Sequence, residues 1–312
     1  MTSHAPILVT GMPRSGTTWI AHMLAASGDL VYVNEPLNPN HPPGGFPGIL
    51  NADVEHRFQY ICEDNEDRFL LAYTDMRQFR YHPVAELRRN HRPSDVSRQV
   101  NHVRQYLTGR VRGRRLMVAD PFAVFSTPWF VNRLGFEVVV VVRRPAATVS
   151  SRKQHGWFFD PADLRRQPLL TRDVLAPLGV QTTVNGTATP LIDAGAMLWS
   201  GIYASIASYR ANGVRFTLVR HEDLSSDPEA GFAELYERLG LTRSDRAGWE
   251  IERSTSAANP TELAPGDPHR VRLDSRANLD SWRSRLTADE LERIQELTAD
   301  VACEYYGAAE LA

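Results

Sequence analysis

The chain has 312 residues, 42% hydrophobic and 23% charged, with 20 glycines and 20 prolines, a composition that excludes collagen-like and wholly disordered classes. Thirty-five basic against 37 acidic side chains leave a formal charge of -2, without the excess of a dedicated nucleic-acid binder. Cys62 and Cys303 are the only cysteines and lie in neither a metal-ligand nor a redox spacing, which points away from a disulfide framework and toward a reducing compartment. Along the chain, the apolar run Pro6 to Thr10 predicts a strand ending at Gly11, and Thr17 to Ser27 has apolar residues at helical spacing. Leu30 to Val33 reads as a second strand, followed by a loop rich in Pro, Gly and Asn from Glu35 to Gly48. Residues 52 to 113 are polar with helical character. Leu116 to Ala119 and Glu137 to Val142 read as central strands, the second almost pure valine, as a strand covered on both faces requires. Thr127 to Leu134 is expected to form the helix between them, and Pro145 to His155 the helix after them, with proline in its first turn. Arg215 to Val219 gives a fifth strand and Glu229 to Leu239 an amphipathic helix ending at Gly240. Thr287 to Glu290 has capping-box spacing and opens a helix with Leu291, Ile294, Leu297 and Val301 on one face.

Alternating strands and helices predict an α/β fold: a doubly wound, mainly parallel sheet of about five strands with helices on both faces. One domain over residues 1–312 is expected, with segments 36–115 and 156–189 as insertions over the active edge. No run of about 18 apolar residues exists. The start, Met1-Thr2-Ser3-His4, lacks the basic-then-apolar plan of a signal peptide, so a cytoplasmic protein without an integral membrane segment is expected. Asn185-Gly186-Thr187 fits a glycosylation acceptor, which carries meaning only in a secreted chain.

Gly11-Met12-Pro13-Arg14-Ser15-Gly16-Thr17-Thr18 has the spacing of a phosphate loop, between a strand and a helix. Glycines let backbone N–H groups approach an anion, and the helix N-terminus faces it. Nucleotide triphosphatases place lysine after the second glycine; here Thr17 stands there, and Lys153 is the only lysine in the chain. The loop's cation is therefore Arg14. An arginine forks two bonds to a single phosphoryl or sulfuryl group, with no metal required.

Pro13-Arg14-Ser15-Gly16-Thr17-Thr18-Trp19 resembles the 5′-phosphosulfate loop of sulfotransferases that use 3′-phosphoadenosine-5′-phosphosulfate (PAPS). Arg143 at a strand end and Ser151 eight positions later, in Val142-Arg143-Arg144-Pro145-Ala146-Ala147-Thr148-Val149-Ser150-Ser151-Arg152, resemble that family's 3′-phosphate motif. His221-Glu222-Asp223-Leu224 is similar to its Tyr-Glu-Asp-Leu segment, with His221 in place of the tyrosine, and Ser281-Trp282-Arg283 to its closing motif. The likeness is greater to bacterial and Golgi carbohydrate sulfotransferases than to cytosolic phenol and steroid enzymes. In the latter the base is a histidine where this chain has Ala119-Asp120-Pro121, whereas the carbohydrate and tyrosylprotein groups carry a glutamate where Val33-Asn34-Glu35-Pro36 stands.

The resemblance implies in-line transfer of a sulfuryl group from PAPS to an acceptor hydroxyl, releasing adenosine 3′,5′-bisphosphate (PAP). It implies Glu35 as base, with Asp120 as its rival, and Arg14 stabilising charge on the bridging oxygen. Arg14, Ser15, Gly16, Thr17 and Thr18 would hold the 5′ end of the donor, Arg143 and Ser151 its 3′-phosphate. Trp19 would stack on adenine or belong to the core. A carbohydrate or glycosylated metabolite is the expected acceptor. Candidate acceptor segments are His41 to Gly48, the arginine-rich stretch 77–115 and Gly156-Trp157-Phe158-Phe159. The alternatives are a P-loop small-molecule or nucleotide kinase, against which the missing lysine argues, and a nucleotide-binding protein without chemistry.

Overall fold

Five short runs of aliphatic and β-branched residues build the sheet. In the computed structural model, which describes residues 5–40, 48–184, 189–261 and 272–311, these are β1 (Ile7–Gly11), β2 (Leu30–Asn34), β3 (Arg115–Ala119), β4 (Glu137–Val142) and β5 (Thr217–Arg220). The order is β2-β3-β1-β4-β5 and every neighbouring pair is parallel. Alternate side chains go to opposite faces. Leu8, Val118, Val140 and Val142 enter one core, while Ile7, Val9, Met117, Val139 and Val141 enter the other. Both faces of β4 are thus buried, which is why its sequence shows no polar alternation.

The helices are α1 (Thr17–Ala25), α2 (Asp67–Arg77), α3 (Pro83–Leu87), α4 (Pro93–Val111), α5 (Thr127–Asn132), α6 (Pro145–Gln154), the single turn α7 (Pro168–Leu170), α8 (Pro190–Ala211), α9 (His221–Ser226), α10 (Pro228–Arg238), α11 (Asp245–Thr255), α12 (Ala288–Ala302) and α13 (Ala308–Leu311). Ile20 and Leu24 of α1, Phe232 and Tyr236 of α10 and Ile251 of α11 cover one sheet face. Phe69 of α2, Phe130 of α5 and Trp199 and Ile202 of α8 cover the other. The chain leaves β1 for β2 and β3 on one side, then crosses to β4 and β5 on the other. This reversal opens a crevice at the carboxyl end of β1, where ligands of doubly wound sheets bind.

The expected strands are all present, the last shifted to Thr217–Arg220. The polar stretch 52–113 divides into α2, α3 and α4 with loops between. The helix expected from Thr127 stops at Asn132 and follows a 3-10 turn over Pro121–Ser126, capped by Asp120, whose Oδ1 accepts from Phe122 N at 2.9 Å. The capping box at Thr287 and Glu290 forms as its spacing requires. The glycosylation triplet, Met1 to His4 and positions 41–47 of the first candidate acceptor loop lie outside the described residues.

The largest departure is α8, a 22-residue helix that the pattern reading does not contain. Thirteen of its residues are buried, including Ile192, Ala196, Trp199 and Tyr203. It packs against β4, α6 and α12 at once, so it has no polar face wide enough to produce a helical period. Its punctuation was present nevertheless: Pro190 opens it, and Asn212-Gly213 follows its last residue.

Candidate active site

The loop after β1 folds as its glycines dictate. A Cβ on Gly11 would lie 2.3 Å from the Val141 carbonyl oxygen, so only glycine lets β1 and β4 close here. Gly16 has φ +103°, and a Cβ there would strike His221 at 2.4 Å. Between them Arg14 takes φ +80°, a left-handed conformation that costs a non-glycine residue about 1 kcal/mol or more and concentrates at functional sites. Ser15 is fully buried and Thr17 nearly so. Helix α1 starts from Gly16 with no side-chain cap. Its first N–H groups are therefore available to an anion, along with the positive end of the helix dipole.

The second motif meets this loop. Arg14 Nε donates to Ser151 Oγ at 3.0 Å, and its Nη2 lies 3.2 Å from His155 Nε2. Trp157 stands 5.3 Å from the same guanidinium, within cation–π range. Arg143, at the end of β4, donates to the Arg14 carbonyl at 3.3 Å and to Asn278 Oδ1 at 3.0 Å. Burial, with repulsion from Arg143, Arg152 and Arg285, pulls Arg14 down to about 10, still protonated at neutral pH. Burial also lowers Arg143, against the attraction of Glu222. The place where β1 and β4 end is a concentrated cationic pocket.

Helix α8 braces this pocket from below. Tyr203 Oη donates to the Val141 carbonyl at 2.8 Å and accepts from Met12 N at 3.3 Å. Trp199 Nε1 donates to the Arg143 carbonyl at 2.9 Å. Glu222 of α9 accepts from Arg144 N at 2.9 Å and from Tyr306 Oη at 3.0 Å, fixing the start of α6 to the C-terminal segment.

The ends of β2 and β3 carry the acids. Glu35 also sits at a positive φ, +46°. Its backbone N donates to the Ala119 carbonyl at 2.8 Å, and its Oε2 accepts from Asn38 Nδ2 at 2.7 Å. The carboxyl is partly exposed. Asp120 differs: it is fully buried, and its two oxygens accept from Leu37 N at 2.7 Å and Phe122 N at 2.9 Å. Burial pushes its carboxyl well up, with the charge of Glu35 adding to the effect. Asp120 thus has no surface to offer an acceptor; it ties down the turn that presents Glu35.

Other sequence-nominated residues fall less centrally. Trp19 turns toward α10 and α11, edge-on to Phe232 at 5.2 Å and donating to Ser254 Oγ at 3.2 Å, with His221 at 5.5 Å. Trp282 packs on Ala146 and Ala147 at the start of α6. Thr18 is half-buried. In the aromatic trio, Phe159 enters the core against Phe58, Phe158 is 49% exposed at a cleft, and Trp157 lies by Arg14. Within segment 77–115, Arg80 pairs with Asp75, Arg98 with Asp95 and Arg115 with Glu137. Sequence reading missed His155, Trp199, Tyr203 and Asn278. The Arg14 contact with His155 follows from one helical turn beyond Ser151, a spacing visible in the sequence; the other three come from elements distant in the chain.

Among the described residues, no group of His, Cys, Asp and Glu is placed to hold a metal ion, and no helix is long and apolar enough to cross a membrane. A model of the sulfotransferase family matches residues 6–245. No curated protein matches the chain. Solved structures similar to it include the sulfotransferase domain from the Synechococcus PCC 7002 olefin synthase, 16% identical over 98% of each chain with a TM-score of 0.46. Another is the sulfotransferase domain from the curacin biosynthetic pathway, 15% identical over 96% of this chain and 98% of that one, TM-score 0.49. A third is mouse sulfotransferase SULT7A1 complexed with PAP, 15% identical over 98% of this chain and 87% of that one, TM-score 0.47.

Proposed function

The chain belongs to the sulfotransferase family, and from that premise we propose that it transfers a sulfuryl group from PAPS to an acceptor hydroxyl on a carbohydrate or glycosylated metabolite, acting as one domain. The observation that carries this reading is the bond from Arg14 to Ser151, which joins the loop after β1 and the helix after β4 in one cationic pocket. Two anion sites that meet through one arginine suit a nucleotide with phosphate on both its 3′ and 5′ oxygens. When bound, PAPS supplies the sulfuryl group: the bond from sulfur to the 5′-phosphate oxygen breaks as a bond from sulfur to the acceptor oxygen forms, and PAP leaves.

The chain's part is positioning and charge. Arg143 and Ser151 hold the 3′-phosphate, while Arg14, the N–H groups around Ser15 and Gly16, and the hydroxyls of Thr17 and Thr18 hold the 5′ end. Arg14 stabilises the negative charge that builds on the bridging oxygen, the usual use of an arginine in group transfer. Glu35 takes the proton of the acceptor hydroxyl, and Asp120 keeps the Glu35 turn in place. The insertions 36–115 and 156–189 shape the acceptor side, as loops over an active edge do. Trp19 is a core residue in this reading, because its contacts run to α10 and α11.

Thermal unfolding with PAP, compared with ATP plus magnesium, tests the donor assignment without an acceptor. At 100 times its dissociation constant PAP adds about 2.7 kcal/mol, an upward shift of about 4 °C for a chain of this length. A shift with magnesium-ATP and none with PAP would sink the reading in favour of a kinase.

A further inference from the structure

Helix α4 turns polar side chains inward and apolar ones outward. Gln105 Nε2 donates to the Tyr32 carbonyl at 2.8 Å, and a Cβ on Gly109 would lie 2.4 Å from Val31 Cγ2, so this is the side seated on β2. Asp95, Gln99 and Tyr106 are buried, and Gln99 Nε2 ties α4 to α3 by donating to the Pro83 carbonyl at 2.9 Å. At 3.6 residues per turn, Val96, Val100, Val103, Leu107 and Val111 fall within an arc of about 80° that faces away from β2. Val100 and Leu107 are each 60% exposed and Val111 84%, and Val84 and Leu87 of α3 are as exposed as Val100. Single exposed valines are ordinary, but a continuous apolar row along a helix of 19 residues marks an interaction surface.

The charge around this row has one sign. On α4, Arg104 borders it on one side and Arg110 on the other, both exposed, and Arg88, Arg89, Arg92 and Arg112 are exposed near its two ends. The two acids between residues 84 and 114, Glu86 and Asp95, are buried and spent on His102 and Arg98. A second copy of this face would set six arginines against six, a juxtaposition that like-charge repulsion opposes. An apolar row between arginines instead complements negative headgroups over hydrocarbon. Because the other side of α4 is fixed to β2, a partner that encloses a helix has no access to it. A flat surface reaches the whole row, about 22 Å from Val96 to Val111.

We propose that the face formed by α3 and α4 docks this protein on an anionic membrane surface, with the valines and leucines at the boundary of headgroups and acyl chains and the arginines on lipid phosphates. The proposal goes beyond the sulfotransferase reading and does not depend on it. Gln105 lies at Tyr32 and Gly109 at Val31, so α4 runs against the direction of β2. Its first turns therefore lie toward the carboxyl edge of the sheet, and the docking face runs up to the edge where Glu35 stands.

The test is co-sedimentation of the full chain with vesicles of phosphatidylcholine alone and of an equal mixture with phosphatidylglycerol. Binding to the mixed vesicles should be at least about tenfold tighter and should weaken at roughly 0.5 M salt. The double variant Arg104→Gln, Arg110→Gln should bind them about 30-fold less tightly, and Leu107→Asp about tenfold less. Trp249→Ser, at an exposed aromatic of α11, should stay within about twofold of the parent. All these residues are exposed, and thermal unfolding checks that each variant is folded. Should Leu107→Asp fail that check, the arginine pair tests the same face through charge alone. Equal binding to both kinds of vesicle, binding to neither, or binding that the arginine substitutions leave unchanged overturns the proposal. A dimer in analytical ultracentrifugation that Leu107→Asp dissociates, with no binding to either vesicle, would assign the face to a second copy of the chain instead.

Discussion

The carboxyl edge of the sheet is divided by charge. Its β1–β4 half carries Arg14 and Arg143, and its β2–β3 half carries Glu35 and Asp120. Each half pairs a buried group with a less buried one of the same sign, and in each the less buried member, Arg14 or Glu35, holds a left-handed φ. The supports differ. The cationic half rests on another element, with Trp199 and Tyr203 of α8 holding the backbone at Arg143, Val141 and Met12. The acidic half rests on its own buried member, since Asp120 grips the backbone of Leu37. Binding a polyanion needs several fixed groups at once, whereas presenting one base needs a single turn held in place.

If the two halves divide the work, they can be damaged separately. Glu35→Gln should give the largest effect: removal of a positioned base lowers kcat by about 10²- to 10⁴-fold, with PAP affinity unchanged. Full turnover in this variant would remove Glu35 from the mechanism. Arg143→Ala should do the reverse, because charge-assisted hydrogen bonds are worth about 1.5–3 kcal/mol each. PAP affinity, read by calorimetry, should fall by about 10- to 150-fold. An equal loss of PAP binding in both variants would end the distinction.

The cationic half was legible where its chemistry is local. Gly11 to Thr18 and Arg143 to Ser151 each place strand end, cation and helix start within a dozen residues, so spacing alone announces this grouping of cation and helix N-terminus. That the two meet through Arg14 is a tertiary fact, and so is the support from α8. That helix is buried on nearly every side, and a helix without a polar stripe has no period to detect. Asp120 and Glu35 were both visible as acids at strand ends, yet only burial separates them. Asp120 spends its oxygens on Leu37 and Phe122, and no pattern of residue types along the chain encodes that. The arginines of segment 77–115 show the converse: in a conspicuous run, Arg80 and Arg98 are taken up by Asp75 and Asp95, pairings that the sequence does not announce.

The support from α8 should be measurable as a smaller effect. Tyr203→Phe keeps the ring packing and removes only the hydroxyl between Met12 N and the Val141 carbonyl. The loss should be about 1–2 kcal/mol of stability by chemical unfolding, with PAP affinity falling less than in Arg143→Ala. A variant as stable as the parent would show that the loop holds its shape without α8.

The smallest effect is on the pH dependence of stability, and here the two halves should respond with opposite sign. His221 lies in the cationic half, and burial, then the charge of Arg143, hold it well below the usual histidine value. A base whose folded pKa is depressed costs stability as pH falls below the unfolded value of about 6.5, because the unfolded chain then binds the extra proton. Asp120 lies in the acidic half, raised by burial and by Glu35. An acid whose folded pKa is raised costs stability as pH climbs above the unfolded value of about 3.9, because the folded chain then holds the extra proton. Unfolding free energies across this range should therefore be trimmed from both ends. Arg143→Ala removes one cause of the His221 shift and should flatten the acid limb, and Glu35→Gln removes one cause of the Asp120 shift and should flatten the opposite limb. If both substitutions altered the same limb, the charge division of the sheet edge would not govern these two groups.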